Sequence, residues 1–278
     1  MPEEKNRGFK IRHLTLQVVC ATLTIVSLSG PSCERRAHEP MVMVASSLSV
    51  LIDRWTQEEE RDLRWQGAGS QRITQWLEGG ARPLFSILAT RRYVEPLRSR
   101  ELISWTLPLG CSALSLAQAK SDQGAPPSPL TLEEWRAWGE GISSRDRLAF
   151  TSEEVPLGRL TRALLSKSEG YFGRDWRHRV QGAVVTQPLS ASATATLLMT
   201  GEVDATLLFK VMAYGRPGLS FRDLPAPLQT EVTYIAVGVE PKGKATAERF
   251  RSWLKANPSF GLTSCAQGGS TPSEGISP

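Results

Sequence analysis

Residues 41–55 read MVMVASSLSVLIDRW, and this stretch decides the fold class. Its first part, Met41–Ala45, is a continuous apolar run, which predicts a buried β-strand. From Ser46 to about Arg61 the apolar residues instead recur at helical spacing, on a face formed by Leu48, Leu51, Ile52 and Trp55. A buried strand that leads directly into an amphipathic helix is typical of an α/β protein.

The same alternation continues along the chain. Further strands are predicted at Leu63–Trp65, Pro83–Ala89, Ala113–Ala117, Leu148–Phe150, Val184–Val185, Ala205–Phe209 and Val232–Val239. Further helices are predicted around Ile73–Leu77 with a stop at Gly79-Gly80, and at Leu132–Trp138, Pro156–Ser166, Ser190–Thr200 and Ala245–Lys255. Thr131 and Glu134 have the spacing of a capping box at the start of one of them. Strands that alternate with helices predict parallel sheets covered by helices on both faces.

The chain has 278 residues and a formal net charge of +5. This length suits one large or two modest α/β domains, each with a proper core. The charge is too small and too evenly spread to indicate binding of nucleic acid. It is typical of a slightly basic surface and mildly favours an anionic ligand.

The N-terminus has the features of an export signal. Basic side chains precede the apolar stretch Leu14–Leu28, which is too short for a membrane span and fits a signal peptide over residues 1–33. The signal closes on Cys33, which resembles the acylated cysteine of a lipoprotein; plain secretory cleavage near residues 30–38 is the alternative. We therefore expect an exported protein, periplasmic or at the cell surface, anchored to the membrane through Cys33 by a tether over residues 34–40.

Two cysteines, Cys111 and Cys265, remain for the folded part of the chain. In an oxidising compartment they could form a disulfide, and the alternative is a pair of unlinked small apolar residues. Their separation does not match metal-ligand spacing. The last segment, residues 266–278, is rich in Gly, Ser and Pro and is expected to be disordered.

No catalytic arrangement is indicated by the sequence. Only three histidines exist, and the chain has no zinc spacing, nucleophile elbow, phosphate-binding loop or dinucleotide fingerprint. We expect no catalytic residue, no metal and no cofactor. A hydrolase that uses Ser47 or Ser70 is a remote alternative, because neither serine has a partner base in the sequence pattern.

Hydroxyl-bearing or glycine-bearing helix starts follow several of the strands. They are Ser46-Ser47-Leu48-Ser49, Gly67-Ala68-Gly69-Ser70, Val155-Pro156-Leu157-Gly158 and Leu189-Ser190-Ala191-Ser192. A helix start offers unpaired N–H groups and a partial positive charge, and a serine there either caps the helix or turns its hydroxyl to a ligand. Several such starts that meet at one point can bind an oxyanion without a formal cation.

The order of these segments resembles a known family. Val44-Ala45-Ser46-Ser47-Leu48-Ser49 resembles the Ala-Ala-Ser-Leu-Thr start of the periplasmic molybdate-binding proteins of ABC importers. Further similar elements are Gly69-Ser70 with Ile73, Glu78-Gly79-Gly80-Ala81, Leu88-Ala89, Arg147-Leu148-Ala149-Phe150, Val155-Pro156-Leu157-Gly158, Ala163-Leu164 and the segment from Ala191 to Ala213. The resemblance covers roughly residues 41–262, and its order and spacing are more specific than any single motif.

This resemblance implies a two-lobed periplasmic-binding-protein fold of α/β class, in which each lobe is a mostly parallel sheet flanked by helices. It places residues 40–105 and 232–265 in the first lobe and residues 106–231 in the second. It also implies a molybdate or tungstate oxyanion as the ligand, an ABC permease as the partner and a monomeric protein.

Family members hold the oxyanion with two serines, two backbone N–H groups and a tyrosine hydroxyl. By position, the resemblance assigns these roles to Ser47, Ser70, Leu157, Ala191 and Phe209. Phenylalanine cannot donate a hydrogen bond, and the loss of one donor to a charged acceptor costs about 1.5–3 kcal/mol. The further candidate donors are Ser46, Ser190 and Ser192.

Phe209 keeps a second interpretation open. In this alternative the chain is a surface-anchored binding or sensor protein of the same fold, with altered or lost oxyanion specificity. The family's acids near the third strand are also replaced here, by Leu84 and Thr90.

Overall fold

The computed structural model describes residues 41–119 and 129–265. The expected signal peptide with Cys33, the tether over residues 34–40, residues 120–128 and the tail over residues 266–278 lie outside the described residues.

Strands and helices alternate through the described residues. The strands are β1 Met41–Ala45, β2 Arg64–Ala68, β3 Phe85–Ala89, β4 Trp105–Ala119, β5 Leu148–Ala149, β6 Val184–Thr186, β7 Ala205–Phe209, β8 Leu219–Asp223 and β9 Glu231–Gly238. The α-helices are α1 Ser49–Glu58, α2 Ser70–Glu78, α3 Glu95–Ser99, α4 Leu132–Gly141, α5 Pro156–Phe172, α6 Arg174–Gly182, α7 Ala191–Met199 and α8 Pro241–Ala256. Short 3-10 helices lie at Ser46–Leu48, Arg91–Tyr93, Lys210–Ala213, Ala226–Leu228 and Pro258–Phe260. The predicted α/β class is confirmed.

The long strand β4 belongs to two sheets. Its residues 105–113 pair with β9, and the first sheet has the order β2-β1-β3-β9-β4. Its residues 114–119 pair with β7 and β8, and β5 and β6 follow beyond β7 in the second sheet. We call these sheets, with their helices, the first and second lobes. The chain therefore passes from the first lobe to the second along β4.

The strand directions are partly as expected. β1 runs parallel to β2 and β3, and β5 runs parallel to β6 and β7. Every pairing of β4 or β9 is antiparallel. The alternation of strands and helices predicts parallel pairing only where a helix connects two neighbouring strands. β9 instead enters the first sheet directly from the second lobe, so its direction could not be predicted in this way.

Helices cover both faces of the first sheet. Val42 and Val44 point to the side that packs on Trp55 of α1 and Phe250 of α8, whose rings lie 5.0 Å apart. Met43, between them, points to the opposite side and packs with Ile73 of α2. The apolar run in β1 is continuous because both of its faces are buried.

Several elements differ from the sequence prediction. β4 begins eight residues earlier than predicted, because the strand continues past Pro108 and Gly110 through an irregular register. Helix α5 continues to Phe172, and α8 begins at Pro241. Helix α6 and strand β8 were not predicted; α6 has few apolar positions, although its buried Trp176 packs against Trp135 of α4.

The predicted cap of α4 is confirmed. The Thr131 hydroxyl accepts a hydrogen bond from the Glu134 N–H at 3.1 Å, and the Glu134 carboxylate accepts one from the Thr131 N–H at 2.8 Å. Glu134 also contacts Arg222, and these interactions lower the pKa of its carboxyl to about 2, with the Thr131 N–H as the largest cause. In the described ranges, no helix combines the length and the hydropathy needed to span a membrane.

Cys111 and Cys265 form a disulfide, with their Cα atoms 4.9 Å apart. Thr263 pairs with Cys111 as an isolated antiparallel bridge beside the same bond. The disulfide thus attaches the end of the described chain to β4, at the place where β4 leaves the first sheet. Of the two alternatives that the sequence left open, a disulfide or two unlinked cysteines, the structure has the disulfide.

Reduction of this disulfide is expected to lower the free energy of unfolding by about 2–4 kcal/mol, because the bond restricts the unfolded chain. Thermal unfolding with and without a reductant measures the effect. Cys265→Ser is the control, since its midpoint should be low from the start and insensitive to reductant. An equal midpoint for the oxidised and reduced wild-type protein would contradict a stabilising role.

Candidate functional site

A small pocket lies between the two lobes. Its wall is formed by Ala45, Ser46, Ser47, Gly69, Ser70, Ala89, Val155, Pro156, Leu157, Ser190, Ala191 and Phe209. These residues come from the ends of β1, β3 and β7 and from the helix starts that follow strands. The space open to the centre of a water-sized sphere is about 20 Å³. One water needs roughly 10–15 Å³ by this measure, so the space is small and favours a compact ligand.

All five residues that the sequence assigned to the ligand line this one pocket. Ser46 and Ser190, two of the further candidate donors, line it as well, and Ser192 does not. The sequence-based prediction therefore selected residues that line one pocket although they are up to 162 positions apart, from Ser47 to Phe209. Their contact with an anion stays a prediction.

Ser47 lies in the first helical turn after β1 and is only 7% exposed. Its Oγ accepts a hydrogen bond from the Tyr234 hydroxyl, at 2.7 Å. Tyr234 belongs to β9, opposite Ala89 of β3, and is fully buried. Burial raises the pKa of the Tyr234 phenol well above its ordinary value, so the group stays a neutral donor.

Ser70 is the first residue of α2 and is 2% exposed. Its Oγ accepts a hydrogen bond from the Ala89 N–H, at 2.8 Å. Ala89 is the last residue of β3 and lines the pocket itself. The end of β3 therefore fixes the serine that begins the neighbouring helix.

The two serines share one property that decides what they can bind. A serine hydroxyl has a single hydrogen, and in each case its oxygen already accepts from a protein donor. Among the described residues, neither hydroxyl donates to a protein acceptor. Ser47 and Ser70 can therefore each donate one hydrogen bond to a ligand in the pocket.

The second lobe contributes the starts of α5 and α7. Val155 precedes α5 without a side-chain cap, and Pro156 has no N–H, so the first N–H of α5 belongs to Leu157. In α7, the Ser190 hydroxyl accepts from the Ala193 N–H at 3.1 Å, which leaves the Ala191 N–H without an acceptor in its own helix. The partial positive charges of both helix starts lie at the pocket wall.

Ser192 differs from the other candidate donors. Its hydroxyl donates to the carbonyl oxygen of Ser46, at 2.9 Å, so its hydrogen is used within the protein. Because Ser46 precedes α1 and Ser192 lies in α7, this bond joins the two lobes. Its function in the structure is to hold the lobes together beside the pocket.

A second contact also joins the lobes. The Tyr93 hydroxyl donates to the carbonyl oxygen of Glu154 at 3.3 Å and accepts from Arg159, whose guanidinium lies 5.3 Å from the centre of the Tyr93 ring. Tyr93 follows Thr90, which has a φ of 78°, an unusual conformation for a β-branched residue. Together with the bond from Ser192, these contacts hold the two lobes against each other beside the pocket.

Phe209 lies at the end of β7 and is 2% exposed. Its ring meets the ring of Tyr234 edge to face, with centroids 6.3 Å apart. The sequence patterns do not single out Tyr234 as a functional residue. One sequence feature could have indicated it: Tyr234 lies in a strand that is otherwise mostly apolar. A buried phenol needs a hydrogen-bond partner, so a tyrosine there predicts a polar contact.

None of the described residues that line the pocket has an ionisable side chain. Electrostatic attraction for an anion must then come from hydroxyl and backbone donors and from the helix starts. Among the described residues that line the wall, none forms an acid, base or nucleophile pair.

The family described as bacterial extracellular solute-binding protein matches residues 42–258. The chain belongs to this family. A search of curated proteins gives no match to this solute-binding protein.

Solved structures share the fold of this solute-binding protein. The Azotobacter vinelandii periplasmic molybdate-binding protein has a TM-score of 0.60 and 17% identity, covering 81% of this chain and 99% of that one. The sulfate-binding protein from Mycobacterium tuberculosis has a TM-score of 0.55 and 14% identity, covering 82% and 86%. The regulatory domain of HypT from Salmonella typhimurium has a TM-score of 0.52 and 15% identity, covering 81% and 100%. At these identities the likeness shows the fold, and the expected two-lobed periplasmic-binding-protein fold is confirmed.

Gly158 allows the start of α5 to approach closely the segment that follows β5. A Cβ at this position would lie 2.0 Å from the carbonyl oxygen of Ser152 and 2.2 Å from that of Thr151. Gly158→Ala is therefore expected to lower the free energy of unfolding by about 1–3 kcal/mol, measured by urea denaturation.

Gly170→Ala is the matched control in the same helix, because a Cβ there meets nothing within 4 Å. It should be neutral or stabilising by up to about 1 kcal/mol, since alanine favours the helix. Equal stabilities for the two variants would show that the close approach at Gly158 has no energetic importance.

Proposed function

We propose that this solute-binding protein captures a tetrahedral oxyanion, molybdate or tungstate, in the pocket between its lobes. The observation that carries the proposal is the pair Ser47 and Ser70, whose oxygens accept from Tyr234 and Ala89 and whose hydrogens are left for a ligand. The N–H groups of Leu157 and Ala191 complete a set of donors from both lobes. The oxygens of a tetrahedral ion point in different directions, so donors that surround the ion can each contact a different oxygen.

The size of the pocket supports the same class of ligand. A space of about 20 Å³ favours a compact ligand, and the proposed ion exchanges water for protein donors when it enters the pocket. An anion stripped of water needs a donor for most of its oxygen lone pairs, because an unpaired buried charge is costly. Neutral hydroxyl and amide donors satisfy this need without a formal counter-ion.

Position 209 sets the expected strength of binding. Phe209 lines the pocket but donates nothing, so the ligand lacks the phenol that the resemblance to molybdate-binding proteins implies at this position. By the cost of about 1.5–3 kcal/mol for one missing donor, the affinity is about ten- to hundredfold weaker than with a tyrosine. Molybdate and tungstate have nearly the same size and geometry and should bind equally, whereas sulfate is smaller and should bind less tightly.

Delivery of the ion to the permease of an ABC importer is the second part of the proposal. Its support is the extracellular solute-binding family and the contacts that join the two lobes beside the pocket. A closed form that differs from an open one can report occupancy to a membrane partner. Attachment to the membrane through Cys33 would keep the protein near that partner.

Isothermal titration of the purified protein with molybdate, tungstate, sulfate and phosphate tests the first part. We expect saturable binding of molybdate and tungstate, weakened about ten- to hundredfold by Ser47→Ala or by Ser70→Ala, and abolished by the double variant. Ser168→Ala is the matched control: this buried serine also accepts a hydrogen bond, from Trp135, and lies about 16 Å along α5 from Leu157.

Absence of binding for all four anions at millimolar concentration would refute the oxyanion proposal. That result would instead favour the alternative of a sensor or binding protein of the same fold with altered or lost specificity. Normal affinity in the Ser47→Ala and Ser70→Ala double variant would show that the anion binds elsewhere.

The anchor is tested by Cys33→Ala in cells that export the protein. We expect the wild-type protein in the membrane fraction and the variant in the soluble fraction, because the acyl chain is the proposed attachment. Continued membrane association of the variant would contradict lipidation at this residue.

A further inference from the structure

We propose that Tyr234 is a positioning residue of the oxyanion pocket, which sets the affinity for the ion through Ser47 without touching the ion. This inference rests on the proposed function, since it concerns the same pocket. Position 209 has no hydroxyl to donate to the ion. The Tyr234 hydroxyl, on β9, would instead act indirectly, through its hydrogen bond to Ser47.

The position of Tyr234 supports this mode of action. It lies in the middle of β9, paired with Ala89 on one side and Gly110 on the other, and it is fully buried. It is not part of the pocket wall; the Phe209 ring and Ser47 are, and Tyr234 contacts both. Its hydroxyl therefore reaches the pocket only through the oxygen of Ser47.

The hydrogen bond has a defined direction once an anion is bound. An anion accepts hydrogen bonds and donates none, so Ser47 must turn its hydrogen to the ion. The Ser47 oxygen is then free to accept, and the Tyr234 hydroxyl, at 2.7 Å, is the donor that satisfies it. Chains of hydrogen bonds polarise one another, so donation by the phenol strengthens the bond from Ser47 to the ion.

The surroundings keep this donor in place. The Tyr234 hydroxyl has no hydrogen-bond partner other than Ser47 among the described residues, and Phe209 packs edge to face against the Tyr234 ring. Burial keeps the phenol protonated, so the arrangement holds over the physiological pH range. Ala89 restrains Ser70 by a similar bond to its oxygen, so β3 and β9, which are neighbours in the first sheet, each fix one serine of the pocket.

The test is a double-mutant cycle on molybdate affinity, measured by isothermal titration of the exported protein. Tyr234→Phe keeps the ring and removes the hydroxyl, and we expect it to weaken binding about tenfold. In the Ser47→Ala background the same change should have no further effect, because its route to the ion is already lost. In the Ser70→Ala background it should again cost about tenfold.

Tyr171→Phe is the matched control, because Tyr171 is 52% exposed on α5, and it should bind molybdate like the wild-type protein. Thermal unfolding of every variant shows whether it is folded, and the rise in Tm on addition of molybdate extends the measurement to weak binding. A merely structural contribution of Tyr234 would weaken binding equally in both serine backgrounds.

Equal losses in the Ser47→Ala and Ser70→Ala backgrounds would therefore overturn the inference, as would an unchanged affinity of Tyr234→Phe. Both results leave the wild-type protein a molybdate binder, so they are distinct from failure of the proposed function. A wild-type protein that binds no oxyanion would overturn the function and this inference together.

Discussion

An anion enclosed between two lobes must exchange its water for donors of the protein, and this exchange constrains the whole site. A serine hydroxyl can serve only if its hydrogen is not already used within the protein. In this chain the condition is met at Ser47 and Ser70, because each oxygen accepts a hydrogen bond from the first sheet and each hydrogen is left over. Ser192 shows the contrary case, since its hydrogen is donated to Ser46 and serves to join the lobes.

The fold places these donors by a simple rule. Helices that follow strands begin at the same edge of a sheet, so their N–H groups collect where the strands end. The edges of the two lobes face each other, and four helix starts therefore line one pocket. The strand β4, which belongs to both sheets, and the disulfide at Cys111 connect the two halves. Under the proposed function, both lobes are needed for binding, because neither lobe holds a complete set of donors.

Much of this site could be predicted from the sequence. The apolar run Met41–Ala45 and the serines after it are local signals, and the order of similar segments placed Ser70, Leu157 and Ala191 as well. The direction of β9 and the length of β4 could not be predicted, because strand pairing over long distances leaves no local pattern. Tyr234 was missed for the same reason: its hydrogen bond to Ser47 spans 187 positions. The disulfide remained open in the sequence, since pairing of two cysteines depends on how closely the fold brings them together.

The most direct test of the central claim is a crystal structure of the protein grown with tungstate, with anomalous scattering measured at a tungsten absorption edge. We expect one strong anomalous peak in the pocket, with oxygens of the ion within about 3 Å of Ser47 Oγ and Ser70 Oγ. We also expect the N–H groups of Leu157 and Ala191 on the opposite side of the ion. A peak at another site, or an empty pocket at saturating tungstate, would contradict the claim that these helix starts form an oxyanion site.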